Sequence, residues 1–161
     1  MIEMLTRLFG RAEPVLSEAS ARDAAAIATL HAASFRRGWS DGELEQMLHE
    51  RNVVAHRATA GRALHGFILS RLAGGEAEIL SIAVASARRG RGLARALLDL
   101  HLRRLAGLGV AAVFLEVDED NEPARRLYQR AGFRDVGRRP GYYQHGPDRT
   151  ATALVLRRDL V

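Results

Sequence analysis

The chain has 161 residues, of which 47% are hydrophobic and 27% charged, and it contains no cysteine. This length and balance predict one globular domain that folds autonomously, and they argue against a disordered or fibrous protein. The lack of cysteine excludes disulfides, thiolate metal sites and a cysteine nucleophile, and it fits a cytoplasmic location. All 24 basic residues are arginine, and the net charge of +5 favours an anionic partner: nucleic acid, a membrane surface or a polyphosphate cofactor.

Residues 1–13 are predicted to form an N-terminal extension. Their apolar residues follow a helical rhythm, but the segment is too short and too interrupted by charge to span a bilayer or serve as a signal sequence. We expect a frayed or packed helical turn here, followed by a single domain over residues 14–161.

The first half of that domain is predicted to contain a strand, two helices and a three-stranded meander. Ser40 and Glu43 form a capping box, which gives the second helix a clear start. Residues 59–62 and the Gly74-Gly75 pair read as turns. The predicted elements are a strand at 15–18, helices at 21–34 and 40–50, and strands at 53–57, 63–72 and 76–84.

The second half is predicted to alternate helices and strands. Leucines on one face and arginines on the other make residues 93–108 a strongly amphipathic helix. The remaining elements are a buried strand at 111–117, a helix at 122–131 capped by Asn121, and strands at 133–138 and 151–157 around a Gly/Pro/aromatic loop. A meander interrupted by a long helix indicates a mixed α/β or α+β domain with helices on the sheet faces.

Residues 86–94, "SARRGRGLA", raise the question of what an arginine- and glycine-rich loop binds. Gly90 and Gly92 lie between a predicted strand and a predicted helix, where outward amides and the helix dipole favour a phosphate. A Walker A loop is excluded because it requires lysine, and a dinucleotide fingerprint is unfavourable because it requires glycine where Arg95 stands. A nucleic-acid patch and a solvated turn stay open, although no aromatic residue interleaves the arginines.

Three segments in order resemble the GNAT superfamily of acetyl-CoA-dependent N-acetyltransferases: "IAVASARRGRGLARALL", "FLEVDEDNEPARRLYQRAGF" and "RRPGYYQHG". The superfamily signature Q/R-x-x-G-x-G/A is met at residues 89–94. The resemblance covers residues 14–160 and is closest to the bacterial ribosomal-protein alanine N-acetyltransferase branch. It implies a single α/β (α+β) domain, with a mixed, mostly antiparallel seven-stranded sheet and about four helices.

The resemblance also implies how acetyl-CoA is held and coenzyme A released. The backbone of residues 82–84 is expected to pair with the pantetheine arm like an added strand, and amides of residues 90–95 to hold the pyrophosphate. The strand residues read equally as core without the resemblance. The implied cofactor-binding residues are Ile82, Ala83, Val84, Arg89, Gly90, Arg91, Gly92, Leu93, Ala94, Arg95 and Asn121.

The implied catalytic residues are Glu116 and Tyr128. Glu116 is the carboxylate inside an apolar run, where partial burial suits a general base that takes the proton of an α-amino group. Tyr128 matches the family's general acid for the thiolate, and a backbone amide near Val84 is a candidate oxyanion donor. Each has a plainer interpretation, Glu116 as a surface residue and Tyr128 as core packing. Without cysteine, direct attack in a ternary complex is expected.

The acceptor is expected to be the N-terminal α-amino group of a protein, such as a ribosomal protein, with no direct nucleic-acid or membrane partner. Phe35, Trp39, Tyr142 and Tyr143 are the predicted acceptor contacts, and each could instead pack. No metal site is expected, because the histidines show no ligand spacing and read as surface or packing residues. Two alternatives are a GNAT enzyme for a small amine and a non-catalytic acyl-CoA- or nucleic-acid-binding module.

Overall fold

The computed structural model describes residues 12–35 and 37–161, so the predicted helical turn within residues 1–11 lies outside the described residues. The strands are β1 (Val15–Glu18), β2 (Val53–Ala60), β3 (Ala63–Ala73), β4 (Glu76–Val84), β5 (Ala112–Asp118), β6 (Arg134–Gln144) and β7 (Thr150–Asp159). The α-helices are α1 (Ala24–Ser34), α2 (Asp41–His49), α3 (Leu93–Gly107) and α4 (Glu122–Arg130). None of the helices in the described ranges combines the length and apolarity needed to cross a bilayer.

The strands form one seven-stranded sheet in the order β1-β2-β3-β4-β5-β7-β6. The β4–β5 pair is parallel and the other pairs given for the sheet are antiparallel, which confirms the predicted mixed, mostly antiparallel sheet. The part of the chain that the structure describes contains four α-helices, in agreement with the prediction of about four. The α3 helix provides the crossover that two adjacent parallel strands require.

The parallel pair is short, and this positions the site. β4 and β5 pair from Glu76–Ala112 to Ile79–Leu115, and β5 then continues alongside β7 while β4 continues alongside β3. A register shift opposite Leu69 and Ser70 leaves Leu80 without a partner on β3, which is a β-bulge at the point where the strands part. A gap therefore opens in the middle of the sheet beyond Ile79 and Leu115.

Two apolar clusters cover the two faces of the sheet. α3 and α4 cover one face, and α1 and α2 cover the other; we call these the α3–α4 face and the α1–α2 face. The α3–α4 cluster includes Leu97, Leu98, Leu102, Leu105, Val113, Leu115, Val117, Tyr128 and Leu154. The α1–α2 cluster includes Ile27, Ala28, Leu44, Phe67, Leu69 and Ala83. Gly66 lets α3 approach β3, because a Cβ there would lie 2.9 Å from Leu97 Cδ1 and 3.2 Å from the Ala83 carbonyl oxygen.

The predicted helix caps are confirmed. Glu43 N–H donates to Ser40 Oγ at 3.1 Å, and Ser40 N–H donates to the Glu43 carboxylate at 3.2 Å, which is the predicted capping box of α2. Ala124 N–H donates to Asn121 Oδ1 at 3.3 Å at the start of α4. Both boundaries are set by local side-chain chemistry, which is why the sequence predicts them.

Two predicted boundaries need correction. The helix predicted from residue 21 begins with a 3-10 turn at Ala21–Asp23, and the α-helix starts at Ala24. The predicted Gly/Pro/aromatic loop is largely strand: β6 continues to Gln144, and its register with β7 shifts between Arg139 and Tyr143. The shift takes up Pro140, which has no N–H to donate, and a glycine with a φ of +69°, so the strand continues beyond a proline.

Candidate active site

The loop before α3 presents backbone amides at a helix N-terminus. Gly90 and Gly92 have φ values of +74° and +81°, and no described atom outside the adjacent residues lies within 4 Å of a Cβ built at either glycine. Ala96 N–H donates to the Gly92 carbonyl at 3.0 Å, and the amides of the preceding first turn have no intrahelical acceptor. Free donors, open space and the positive end of the helix dipole fit a pyrophosphate.

The arginines of this loop bond largely to the protein itself. Arg88 is buried and donates to the Ala12 carbonyl at 3.2 Å. Arg89 Nε donates to the Val84 carbonyl at 3.0 Å, and Arg95 Nε donates to Asp99 at 2.9 Å. The interpretation of this segment as a plain basic patch is therefore less favourable, because Arg88 and Arg89 donate to main-chain carbonyls and Arg95 is paired within α3.

The gap between β4 and β5 leaves main-chain groups of β4 unpaired on one side. Residues 82–84 pair with β3 on the other side, from Ile68–Ile82 to Gly66–Val84. On the side toward β5 these residues have no paired strand, because the β4–β5 pairing ends at Ile79. The Val84 carbonyl accepts a hydrogen bond from Arg89 Nε. An exposed strand edge of this kind fits an extended ligand that carries amides, such as a pantetheine arm.

Glu116 lies on β5 at this gap and points to the α1–α2 face, because its neighbours Leu115 and Val117 belong to the α3–α4 core. Its side chain is 19% exposed, and its Oε1 forms an ion pair with Arg139 Nη1 at 3.0 Å. Arg139 lies on β6 opposite Ala153 of β7. Since β7 separates β6 from β5, the Arg139 side chain crosses β7 to reach Glu116. The carboxylate is thus half-enclosed and reachable from the α1–α2 face.

Two tyrosines of this region, Tyr128 on α4 and Tyr143 on β6, have raised pKa values. The Tyr128 side chain is buried and its ring packs edge-on against Phe133 at 5.7 Å. Burial, with a smaller contribution from Tyr143, raises the pKa of Tyr128 well above its ordinary value, so its hydroxyl keeps its proton at neutral pH. Burial also raises the pKa of Tyr143 to about 12, with further contributions from Glu116, Tyr142 and Asp118. Tyr143 thus interacts electrostatically with both the Tyr128 hydroxyl and the Glu116 carboxylate.

The aromatic residues predicted to contact the acceptor form two groups. The ring of Trp39 stacks on His31 at 4.3 Å, and the ring of Phe35 lies 4.6 Å from the same histidine. Tyr142 is 55% exposed, and its ring is 5.3 Å from Tyr143 and 5.6 Å from the Arg139 guanidinium. Phe35 and Trp39 thus lie on the α1–α2 face around His31. Tyr142 and Tyr143 lie near Arg139, the ion-pair partner of Glu116.

Asp118, Asp120 and His145 offer ligand atoms within 4.8 Å of one another. Each of these groups already has a protein partner: Asp118 accepts from the His145 ring and from the Asp120 N–H, and Asp120 pairs with Arg149 at 3.6 Å. We interpret the cluster as a hydrogen-bonded ion-pair network that holds the end of β5 to the β6–β7 turn.

His31 is buried and packs against Phe35 and Trp39, which is the packing role among the two that the sequence predicts for it. The sequence missed two other features of this region. The Arg139–Glu116 pair joins residues on two strands that are not adjacent, so no local pattern announces it. Ser81 is a buried polar residue within β4; a lone serine in the apolar stretch "ILSIAV" is the signal that could have revealed it.

Comparison with known proteins places the chain in a family. Residues 24–133 match the model described as the acetyltransferase (GNAT) family. The [ribosomal protein bS18]-alanine N-acetyltransferase of Haemophilus influenzae is 30% identical over 118 residues, which cover 73% of this chain and 80% of that protein. The crystal structure of the Escherichia coli ribosomal-protein-S18-alanine N-acetyltransferase superposes with a TM-score of 0.83 at 25% identity, covering 91% of this chain and 93% of that one.

Other relatives bear a different name. A mycothiol acetyltransferase of Clavibacter michiganensis subsp. michiganensis is 43% identical over 84 residues, or 52% of this chain and 27% of that protein. The chain spans only 22%, 18% and 27% of the length of three relatives of this longer kind. The fold defines a GNAT-like α/β domain. The chain belongs to the GNAT acetyltransferase family, whose cofactor is acetyl-CoA.

Proposed function

We propose that this chain transfers the acetyl group of acetyl-CoA to the N-terminal α-amino group of a protein, of the ribosomal-protein alanine type, by direct attack in a ternary complex. One observation carries the proposal: Glu116 is a largely buried carboxylate on β5 just beyond the last β4–β5 pair, and Tyr143, which interacts electrostatically with it, also interacts with the buried, protonated Tyr128. The phosphate-binding geometry before α3 lies at the end of the same β4 strand.

The cofactor is assigned to the gap and the loop. Amides of residues 90–95 hold the pyrophosphate, the free edge of residues 82–84 pairs with the pantetheine arm, and Asn121 adds a contact beyond its capping role. When bound, acetyl-CoA supplies a thioester as the acetyl donor. Arg91 and the free donors of Arg89 and Arg95 add charge toward the outer phosphates.

Two proton transfers are assigned to side chains of the protein. An α-amino group has a pKa of about 8 and is mostly protonated at neutral pH, so Glu116 takes a proton from it to expose the nitrogen lone pair. The Tyr128 hydroxyl holds the proton that the departing thiolate needs, because burial keeps that hydroxyl neutral. Phe35, Trp39, Tyr142 and Tyr143 line the approach of the acceptor.

The test compares acceptors and variants. The parent should acetylate a peptide that starts with alanine faster than it acetylates a panel of small amines, with release of coenzyme A as the measurement. Glu116→Gln and Tyr128→Phe should each lower kcat by about 10²- to 10⁴-fold while the Kd for coenzyme A stays within twofold. If both variants acetylate as fast as the parent, the assignment of Glu116 and Tyr128 as catalytic residues is wrong. If the parent binds coenzyme A but acetylates no amine, a protein that only binds acyl-CoA becomes the better description.

A second candidate function is acetylation of a small-molecule amine. The observation that favours it is the 43% identity to a protein named mycothiol acetyltransferase, which is higher than the 30% identity to the ribosomal-protein enzyme although it extends over fewer residues. Rapid turnover of a small amine with no turnover of the alanine peptide would select this function over the first.

A further inference from the structure

Two buried polar atoms lack a partner on the α1–α2 face. Among the side chains of residues 12–35 and 37–161, His31 Nδ1 and Ser81 Oγ are the buried nitrogen and oxygen atoms for which the structure provides no hydrogen bond. The side chains are at least nine-tenths buried, at 5% and 7% exposure. Buried polar atoms in native proteins are nearly always paired, so two on one face call for an explanation, and recognition of a polar substrate group is one.

Both residues lie near the same residue of β3, Phe67. The His31 ring is 6.3 Å from the ring of Phe67, which pairs with Ala83 in the β3–β4 register. Ser81 pairs with Leu69, two residues along β3 from Phe67. Residues directly opposite in an antiparallel pair point to the same face, and positions two apart share that face. Ser81 therefore lies diagonally next to the residue that His31 covers.

The same face holds the proposed base. The β4–β5 pairing ends at Ile79–Leu115, so Ser81 and Glu116 lie just beyond the last pair, on the two sides of the gap. Glu116 points to the α1–α2 face, since its neighbours Leu115 and Val117 belong to the opposite core. Ser81 points to the same face, since its partner Leu69 belongs to the α1–α2 cluster. An amine held at Glu116 would place its next atoms toward Ser81.

The chemistry of the two atoms is complementary. Burial lowers the pKa of His31, so the ring is neutral at pH 7 and one ring nitrogen keeps a lone pair. A serine hydroxyl donates readily to a carbonyl oxygen. One donor and one acceptor are the partners that the C=O and the N–H of a single amide group require, and these two groups point in opposite directions in a trans amide.

We propose that Ser81 Oγ–H donates to the carbonyl oxygen, and His31 Nδ1 accepts the N–H, of an amide that directly follows the acceptor amine. The substrate class is then an α-aminoacyl amide, H₂N–CHR–CO–NH–R′, and Phe35 and Trp39 cover the amide. This inference rests on the proposed acetyl transfer and deepens it. A protein N-terminus and an aminoacylated small molecule share this chemistry.

The test uses four amines as acceptors: alaninamide, an alanine-starting tetrapeptide, free alanine and 2-aminopropane. Ser81→Ala and His31→Phe are the variants; the phenylalanine keeps a ring against Trp39 but has no nitrogen. Each variant should raise KM for alaninamide and for the tetrapeptide about five- to tenfold, which corresponds to one lost hydrogen bond. KM for 2-aminopropane and for acetyl-CoA should change less than twofold. Ser34→Ala is the matched control, because its hydroxyl already donates to the Leu30 carbonyl at 2.9 Å.

Two further readouts separate recognition from folding. Trp39 is the single tryptophan of the chain and stacks on His31, so its fluorescence should report binding of alaninamide to the coenzyme A complex. The Tm of Ser81→Ala should equal or exceed that of the parent, because the hydroxyl has no partner to lose.

The outcomes are distinguishable. Unchanged KM for both amides in both variants would overturn this inference and leave the proposed function standing, as would equal use of free alanine and alaninamide by the parent. No acetylation of any amine by the parent would overturn both. A tetrapeptide preferred over alaninamide, with the variants affected as expected, identifies a protein N-terminus as the source, and the reverse preference identifies a small molecule.

Discussion

His101 should make the stability of this domain depend on pH. The residue lies on α3, fully buried against the sheet, with its Nδ1 2.8 Å from His56 Nδ1 and its Nε2 2.6 Å from Ser70 Oγ. Burial and then the neighbouring His56 lower the pKa of His101 to about 3. The two rings share one hydrogen bond, so one must present a lone pair and the pair cannot be fully protonated without breaking it.

The direction and size of the effect follow from this pKa. An unfolded histidine has a pKa of about 6.5, so between that value and about 3 the unfolded chain binds a proton that the folded chain does not. The neutral, buried His101 therefore contributes its full stabilisation above pH 6.5, and this stabilisation is lost as the pH falls from 6.5 toward about 3. Between pH 6.5 and 5 the loss is about 1.4 kcal/mol per pH unit, or about 2 kcal/mol, which lowers Tm by about 4–8 °C in a domain of this size.

The measurement is the free energy of unfolding by urea at pH 8, 6.5, 5.75 and 5 for the parent and for His101→Gln. Carboxylates, His31 and His56 also titrate, so the difference in slope between the two proteins isolates His101. The variant should be less stable at pH 8, and its stability should fall with acid by about 2 kcal/mol less than that of the parent. Exposed His49, replaced by Gln, is the control and should keep the parent's slope. Equal slopes for parent and His101→Gln would refute the reasoning.

Three other substitutions test the site and its supports. Gly92→Ala places a side chain on a residue with a φ of +81°, so it should lower the free energy of unfolding by about 1 kcal/mol and weaken coenzyme A binding. Gly107→Ala, at the last residue of α3, should instead raise the free energy of unfolding by about 0.5–1 kcal/mol. Urea unfolding and a coenzyme A titration measure both variants. Arg139→Met removes the ion pair of Glu116 and should lower the steady-state KM for an amine acceptor about two- to fivefold. The control variant Arg138→Met should keep the KM of the parent. Equal KM values for the two variants would contradict the prediction. Ser40→Ala removes a formed capping box and should cost about 1 kcal/mol, measured by thermal unfolding; no change in Tm would mean that the cap is not formed in solution.

The sequence by itself determined the elements, because each depends on residues close together in the chain. The alternation of apolar and polar residues places the strands, and Ser40 and Asn121 begin their helices through hydrogen bonds to residues three positions on. The loop with Gly90 and Gly92 could be identified for the same reason, since its glycines, the strand before it and the helix after it are contiguous. The family resemblance added the roles of Glu116 and Tyr128, which remain predictions.

Only the tertiary structure decided which groups meet. His56 and His101 are 45 residues apart and touch because α3 packs on the sheet, so no local spacing could predict their hydrogen bond. The gap between β4 and β5 depends on where two strands stop pairing, which is a property of the whole sheet. That gap and the packing of α1 bring Ser81 and His31 to one face with Glu116. Local patterns specify which residues can form an element, whereas contacts between distant elements determine the acceptor side of the site.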